Sequence, residues 1–519
     1  MRLQLMIHPA VAGHGRRLFE PTAPPTRLRL VANSVTSKGN VLSTDGRYAE
    51  SADRAAPPGR QPQGWTAGAR DRRTLLGGPD RTKPELTMPQ DTRPHVVIVG
   101  GGFAGIAAMR ELKDAPVRVT LVDRHVYNMF QPLMYQVATG GLNAGDVTYF
   151  LRSLRARQSN ADFRHGLLTG IRHDERIAEM SDGEHLHYDY LILANGVNTS
   201  YFGTPGAYEY AYSMYSRSQA LRIRDELFTR LEQAAAKQGP DEIRVVIVGG
   251  GATGVEMAGA LAELRDQALV GAYPEIERGN ISITLVHRSG ELLKPFAPRL
   301  RRYAAKILLK RGVVLRLNSG VEEVMPDGVR LAGGEVIPAS QVIWATGVSA
   351  HKEVGNWGLP QTHGGRIQVN DDLSVKGVDR VFSAGDIAAQ DDALAQLAQP
   401  ALQGGKHVAE QIKRRLAGKP TERFKYFDKG TMATIGTNAA VAQLRGGITM
   451  VGPVAWAAWV FVHITSLLGN GNRMSTLTHF FVRYVWFMRK RSIPIVGDVR
   501  PVRPNGDREP EPWQLQKAE

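Results

Sequence analysis

The stretch Val96–Leu112, VVIVGGGFAGIAAMREL, returns almost word for word as Val245–Leu261, VVIVGGGATGVEMAGAL. Each copy is a run of β-branched residues, then three glycines, then a helical pattern of apolar residues. This is the strand–turn–helix order of a nucleotide-binding βαβ unit. The spacing is met twice, by Gly100, Gly102 and Gly105 and by Gly249, Gly251 and Gly254. The first glycine of each set makes the tight turn, the second lets backbone approach a pyrophosphate, and the third lets the helix pack on its strand. The positive end of each helix then faces the ligand's negative charge.

Working outward, each turn has the same surroundings. After the first copy a second strand, VRVTLVD, ends at Asp123, where an acid reaches a ribose hydroxyl. After the second copy the corresponding strand, ISITLVHR, ends in His287 and Arg288, a basic pair that suits a 2′-phosphate better than a free diol and makes NADPH use possible. Further on, YDYLILANG ends at Gly196 and ASQVIWATG at Gly347, 96 and 98 positions beyond the first glycine of their respective turns. In VFSAGDIAA, Gly385 and Asp386 follow a strand, with the carboxylate ready to accept from a sugar-like hydroxyl. The pattern implies an α/β fold with two Rossmann-like dinucleotide-binding domains, the second inserted in the chain path of the first.

The chain has 519 residues and no cysteine, which excludes disulfides, thiolate metal sites, iron–sulfur ligation and any thiol relay. Its formal charge of +15 lies mostly in the tails: residues 1–93 carry 15 Lys/Arg against 8 Asp/Glu, and 471–519 carry 9 against 5. The body is nearly balanced and lacks the basic stripe that nucleic acid requires, so no nucleic-acid partner is expected. Pro, Gly, Arg and Ser recur without periodicity in the first ninety residues, and residues 1–93 read as a disordered leader or upstream extension, with Met88 the expected start. An Arg-rich transit peptide is the rival reading. The expected boundaries are 94–220 and 351–445 for the two parts of the first nucleotide domain, 221–350 for the second domain, 446–491 for amphipathic helices and 492–519 for a flexible tail.

The two glycine turns, the Ala-Asn-Gly and Ala-Thr-Gly strand ends and Gly385-Asp386 resemble the two-dinucleotide-binding-domain flavoproteins. Three further segments, FQPLMYQVATGGL (130–142), AQPALQGG (398–405) and YFDKGTMATIGTNAAVA (426–442), resemble those of type II, non-proton-pumping NADH:quinone oxidoreductases. The resemblance implies FAD on the first turn and a nicotinamide cofactor, NADH or NADPH, on the second. Hydride would pass from nicotinamide to flavin, and two electrons would go on to a quinone. It further implies that Gln399 and Gln403 border the flavin and quinone pockets, that Glu256 lies near nicotinamide and flavin, and that Lys429 lies near the quinone end. Glu256 or Lys429 could steer the two protons that quinone reduction consumes. From position alone, Glu256 also suits a helix N-terminus and Lys429 a solvated turn. Without cysteine the disulfide-reductase branch is closed. The alternatives are a soluble flavin reductase serving a small iron–sulfur carrier and a non-catalytic nicotinamide sensor.

Residues 450–469, MVGPVAWAAWVFVHITSLLG, approach the length of one bilayer span without fixed charge. Gly452, Pro453, His463, Thr465 and Ser466 argue against a span. In the next segment Leu477, Phe480, Phe481, Tyr484 and Met488 fall at helical spacing, ending at Trp486, Phe487 and Arg489-Lys490-Arg491, which suits anionic headgroups beside an apolar boundary. A core helix or a dimer interface is the rival reading of this region; the resemblance favours a C-terminal helical region of two helices at a membrane surface, and with it a peripheral protein on the cytoplasmic face, a homodimer, whose quinone enters from the bilayer. His185 and His187 read as a surface pair, no metal is expected, and the Tyr-rich AYEYAYSMYS (207–216) has no chemical reading from sequence.

Overall fold

The computed structural model describes the backbone of residues 3–7, 28–35 and 41–47, then residues 92–391, 394–484 and 495–499. It divides into two units, 1–87 and 88–519. In the first unit, strands Leu3–Ile7, Val41–Arg47 and Leu28–Val35 form an antiparallel sheet in that spatial order. These strands fall inside the stretch expected to be disordered.

The second unit is built on two five-stranded parallel sheets. In the first, strand His95–Val99 is central, with Arg118–Asp123 and Ala161–His165 on one side and Tyr190–Leu193 and Val381–Ser383 on the other. In the second, strand Ile243–Val248 is central, with Ile281–Val286 and Val313–Arg316 on one side and Gln341–Trp344 and Ala211–Ser213 on the other. Every strand of the second sheet lies, in sequence, between Tyr190–Leu193 and Val381–Ser383 of the first, which is the expected insertion. A parallel strand covered on both faces has no polar side, and all five residues of His95–Val99 are buried.

Close packing fixes the helices. Gly405 sits in the helix Ala398–Leu416 where a Cβ would fall 2.0 Å from the Ala104 carbonyl oxygen, so that helix lies directly on Phe103–Glu111. Gly259 plays the same part in the helix Ala252–Glu263, where a Cβ would stand 2.6 Å from the Ile435 backbone. That contact seats the helix on the sheet formed by Gly430–Thr434, Ala440–Leu444 and Thr449–Val451.

Two helices close the chain, Gly452–Ser466 and Asn470–Tyr484. Pro453 stands in the first turn of the former, whose 15 residues fall short of the ~20 needed to cross a bilayer. Among the described residues no helix is long and apolar enough to cross a membrane. The latter helix is polar on the side facing the protein. Asn472 donates to the Thr148 carbonyl (2.5 Å), Ser475 donates to Asp146 (2.6 Å), His479 stands 3.1 Å from Asp146, and Arg483 stands 3.5 Å from the buried Glu263. Its outer side carries Met474, Leu477, Phe481 and Val482, all exposed, and Val454, Phe461 and Val462 of the preceding helix are exposed as well. The expected apolar stripe therefore divides: Leu477 and Phe481 face out while Phe480 is buried. Met488, Trp486, Phe487 and Arg489–Arg491 lie outside the described residues.

Candidate active site

The first glycine turn is held from below. The Gly100 N–H donates to the Val122 carbonyl (2.7 Å), and a Cβ on Gly105 would fall 1.9 Å from the Gly100 carbonyl oxygen. Gly102, by contrast, faces open space, with no atom within 4 Å of a Cβ built there. The helix that follows has no side-chain cap and no acid in its first turn, so its positive end is left for an anion. Asp123 accepts from the backbone N–H of Gly101 and of His125, both at 2.6 Å, and so braces the turn. Burial pushes its carboxyl above the usual carboxylate range, against the pull of those two N–H groups. Asn128, not anticipated from sequence, donates to the Gly101 carbonyl (2.8 Å). The buried Asn195 Oδ1 has no hydrogen-bond partner among the described residues, as expected where a bound group supplies a donor.

The second turn repeats this construction. Gly249 donates to the Val286 carbonyl (2.9 Å), a Cβ on Gly254 would fall 1.9 Å from the Gly249 carbonyl oxygen, and Gly251 faces open space. The helix Ala252–Glu263 also begins without a side-chain cap or an acid in its first turn. Here the Gly250 N–H donates to His287 Nδ1 at 3.1 Å. An imidazole nitrogen that accepts is unprotonated, so His287 is neutral, with its proton on Nε2. Burial, and secondarily Arg288, lowers its pKa in the same sense. The pair His287–Arg288 thus contributes one positive charge near neutral pH, that of the exposed Arg288, and offers less to a 2′-phosphate than its sequence suggests.

Gly196, Gly347 and Gly385 all have positive φ where the chain leaves a sheet. Asp386 stands beside Gly385, its carboxyl pushed up to about 6 by burial, with Arg366 and the Tyr215 hydroxyl, 3.5 Å from Oδ2, pulling it down. Tyr215 gives the Tyr-rich segment a place at this site. Gln399 is half-buried at the start of the helix Ala398–Leu416. One turn on, Gln403 exchanges two hydrogen bonds of 3.0 Å with the Phe427 backbone and ties down the loop leading to Lys429. Lys429 itself is exposed.

Glu256 is buried on the inner face of the second cradle's helix. Burial pushes its pKa up to about 8, although the Thr434 backbone N–H, 3.4 Å from Oε1, and the Trp459 indole both pull downward. Trp459 belongs to the Gly452–Ser466 helix and stacks on His463 with ring centroids 4.1 Å apart. His463 in turn meets Phe130, and Phe130 meets Phe103 at the first glycine turn, both edge to face. Aromatic side chains thus lead from the first cradle to the tail helix beside Glu256. Sequence gave no sign of this, since Trp459 and His463 read there as parts of a hydrophobic run. Among the described residues no group of His, Asp or Glu could hold a metal ion. His185 and His187 are exposed.

A sequence profile of the pyridine nucleotide-disulphide oxidoreductases matches residues 94–405. The type II NADH:quinone oxidoreductase Ndh of Mycobacterium tuberculosis is 36% identical over 423 residues, 77% of this chain and 90% of the relative. The chain belongs to the type II NADH:quinone oxidoreductase family. A second member from that organism, NdhA, is 35% identical over 74% of this chain and 86% of its own length. The fold is that of NDH2 from Plasmodium falciparum, solved in complex with NADH, with a TM-score of 0.71, 19% identity and coverage of 76% of this chain and 99% of that one. As a family member without cysteine, this chain has no thiol pair through which electrons could pass.

Proposed function

We propose that this protein oxidises NADH and reduces a membrane quinone, with FAD on the first cradle and the nicotinamide dinucleotide on the second. The observation that carries the reading is the doubled cradle, two open and uncapped helix N-termini on adjoining parallel sheets. The first cradle fits FAD: Gly102 leaves room for a pyrophosphate and the orphaned Asn195 Oδ1 awaits a donor. Bound FAD supplies the two-electron relay between nicotinamide and quinone. Gly100, Gly102, Gly105 and Asp123 hold its adenosine and pyrophosphate portion, and Gly196, Gly385, Asp386 and Gln399 the remainder. Gly249, Gly251, Gly254, His287, Arg288 and Gly347 hold the nicotinamide dinucleotide.

Quinone reduction consumes two protons, and Glu256, with its pKa near 8, carries one at neutral pH beside the tail helix. Lys429, exposed beyond the Gln403 clamp, helps steer protons arriving from the solvent side. The tail helices rest on a membrane by their outward apolar face. Each fully buried Leu or Phe side chain contributes ~1.5–3 kcal/mol, so partial insertion of the seven exposed apolar residues suffices to hold the protein there. The quinone enters from the lipid, and NADH arrives from the cytoplasm.

The test is direct. The purified protein is expected to be yellow, to bleach with NADH without air and to recolour with a short-chain quinone; a colourless preparation, or one that NADH does not bleach, overturns the reading. Replacing the outward-facing Phe461, Leu477 and Phe481 together by Ser is expected to release a folded flavoprotein from membranes, and attachment of that variant persisting through a high-salt wash overturns the part given to the tail.

A further inference from the structure

Phe202 combines two features that stability does not explain. Its φ is +52°, a backbone conformation that strains a bulky side chain, yet the residue is 69% exposed and gains little from packing. The loop that carries it is firmly built. Asn198–Thr199 pairs antiparallel with Val348–Ser349, and Ser200 donates to the Gly347 carbonyl (3.1 Å) and accepts from the Trp344 indole (2.9 Å). Tyr201 packs between Trp344 and Tyr208. These contacts anchor the loop behind Phe202.

The ring lies on Gly347. A Cβ built on that glycine would fall 2.2 Å from the Phe202 ring. Gly347 closes the Ala345–Gly347 turn, which abuts the second cradle: a Cβ on Gly249 would stand 2.7 Å from the Ala345 carbonyl oxygen and 3.0 Å from Thr346 Cβ. Phe202 therefore sits at the carboxyl end of strand Gln341–Trp344, across the central strand Ile243–Val248 from His287. A dinucleotide lies over the carboxyl ends of the strands at the point where strand order reverses. With its adenosine half on the His287 side, its nicotinamide half lies on the side of Gly347 and Phe202.

We propose that Phe202 is a substrate-positioning residue, whose ring packs against the nicotinamide riboside of NADH and holds it for hydride transfer. This rests on the assignment of the nicotinamide dinucleotide to the second cradle. The strain serves the placement, since relaxing φ would swing the ring off Gly347.

The experiment compares Phe202→Gly and Phe202→Tyr with wild type in the full-length, FAD-loaded protein. Glycine accepts a positive φ without strain, so F202G is expected to keep its flavin and to unfold at the wild-type temperature or above it. Its KM for NADH is expected to rise ~10-fold or more, with a smaller fall in kcat, as for lost ground-state contact. F202Y, which keeps the ring, is expected to restore KM to within about 2-fold of wild type. An unchanged KM in F202G overturns the proposal, as does loss of flavin or a lower unfolding temperature in that variant, which would make the residue structural. Failure of the wild type to bleach with NADH overturns the assignment of the second cradle and this proposal with it; wild-type bleaching with an unmoved F202G overturns this proposal alone.

Discussion

The two cradles share a backbone and differ in their side chains. In the first, Gly101 donates to a carboxylate, Asp123; in the second, Gly250 donates to a neutral imidazole, His287. In the first, the residue two beyond the last glycine is Ala107; in the second it is Glu256, buried with a pKa near 8. The common part, a turn so tight that a Cβ on its last glycine would fall 1.9 Å from a carbonyl oxygen, and open at the middle glycine, suits any pyrophosphate. The chemistry that separates a resident cofactor from an exchanging substrate lies in the departures from the repeat.

The comparison breaks most severely at the closing glycines. Gly105→Ala and Gly254→Ala each drive a methyl group into a backbone carbonyl that cannot yield without opening the turn. G105A is expected to purify colourless. G254A is expected to remain yellow and to lose NADH oxidation by ~100-fold or more, on the scale of ~3 kcal/mol. Absorbance at the flavin band and NADH titration check both; a colourless G254A would mean that the cradles do not hold separate ligands.

The next largest effect concerns Glu256. As a proton carrier it must be protonated, so quinone reduction is expected to fall as pH rises through about 8, and Glu256→Gln, neutral at every pH, is expected to lose that alkaline limb along with ~10-fold or more of the rate. The sign for stability follows from the same shift. The folded state holds a proton between the ordinary carboxylate value of 4.5 and about 8 that the unfolded chain has released, so this residue makes stability fall as pH rises through that window. Melting curves of wild type and E256Q are expected to diverge between pH 5 and 9, with E256Q relatively more stable at the alkaline end. Parallel curves would remove the buried carboxylic acid from the account.

Much of this was legible in the sequence because a dinucleotide cradle is a local object. Spacing from Gly100 to Gly105 and from Gly249 to Gly254, with a β-branched strand before and an apolar helix after, fixes the turn, its strand and its helix together. The nesting was legible because the Gly196 and Gly347 strand ends repeat at matched distances. What escaped depends on distant packing. Trp459 stands beside Glu256 from a helix far along the chain, and the helix that carries Glu256 rests on the Ile435 backbone through Gly259, a glycine that nothing local marks. Tyr215 meets Asp386 across 171 positions of sequence. The inward polar side of the last helix was hidden because an apolar stripe reads the same whether it faces a core or a membrane. Here Asp146 and Glu263 draw Ser475, His479 and Arg483 inward and leave Leu477 and Phe481 outside.

The smallest predicted effect sharpens the comparison at its ribose end. His287→Asp makes the second cradle copy the first: the carboxylate takes the Gly250 N–H as Asp123 takes that of Gly101, and a negative charge replaces a neutral ring. NADPH, with its 2′-phosphate, is expected to lose ~10-fold in kcat/KM relative to NADH, ~1.4 kcal/mol, while the NADH value itself stays within about 2-fold. The wild type carries a second, independent check. Because the Gly250 hydrogen bond and burial both hold His287 neutral, with a pKa below the ordinary 6.5, the ratio of NADPH to NADH activity is expected to stay flat from pH 8 to 6.5. A ratio that climbs toward acid over that range would mean the ring gains a proton there, which it can do only by giving up its bond to Gly250.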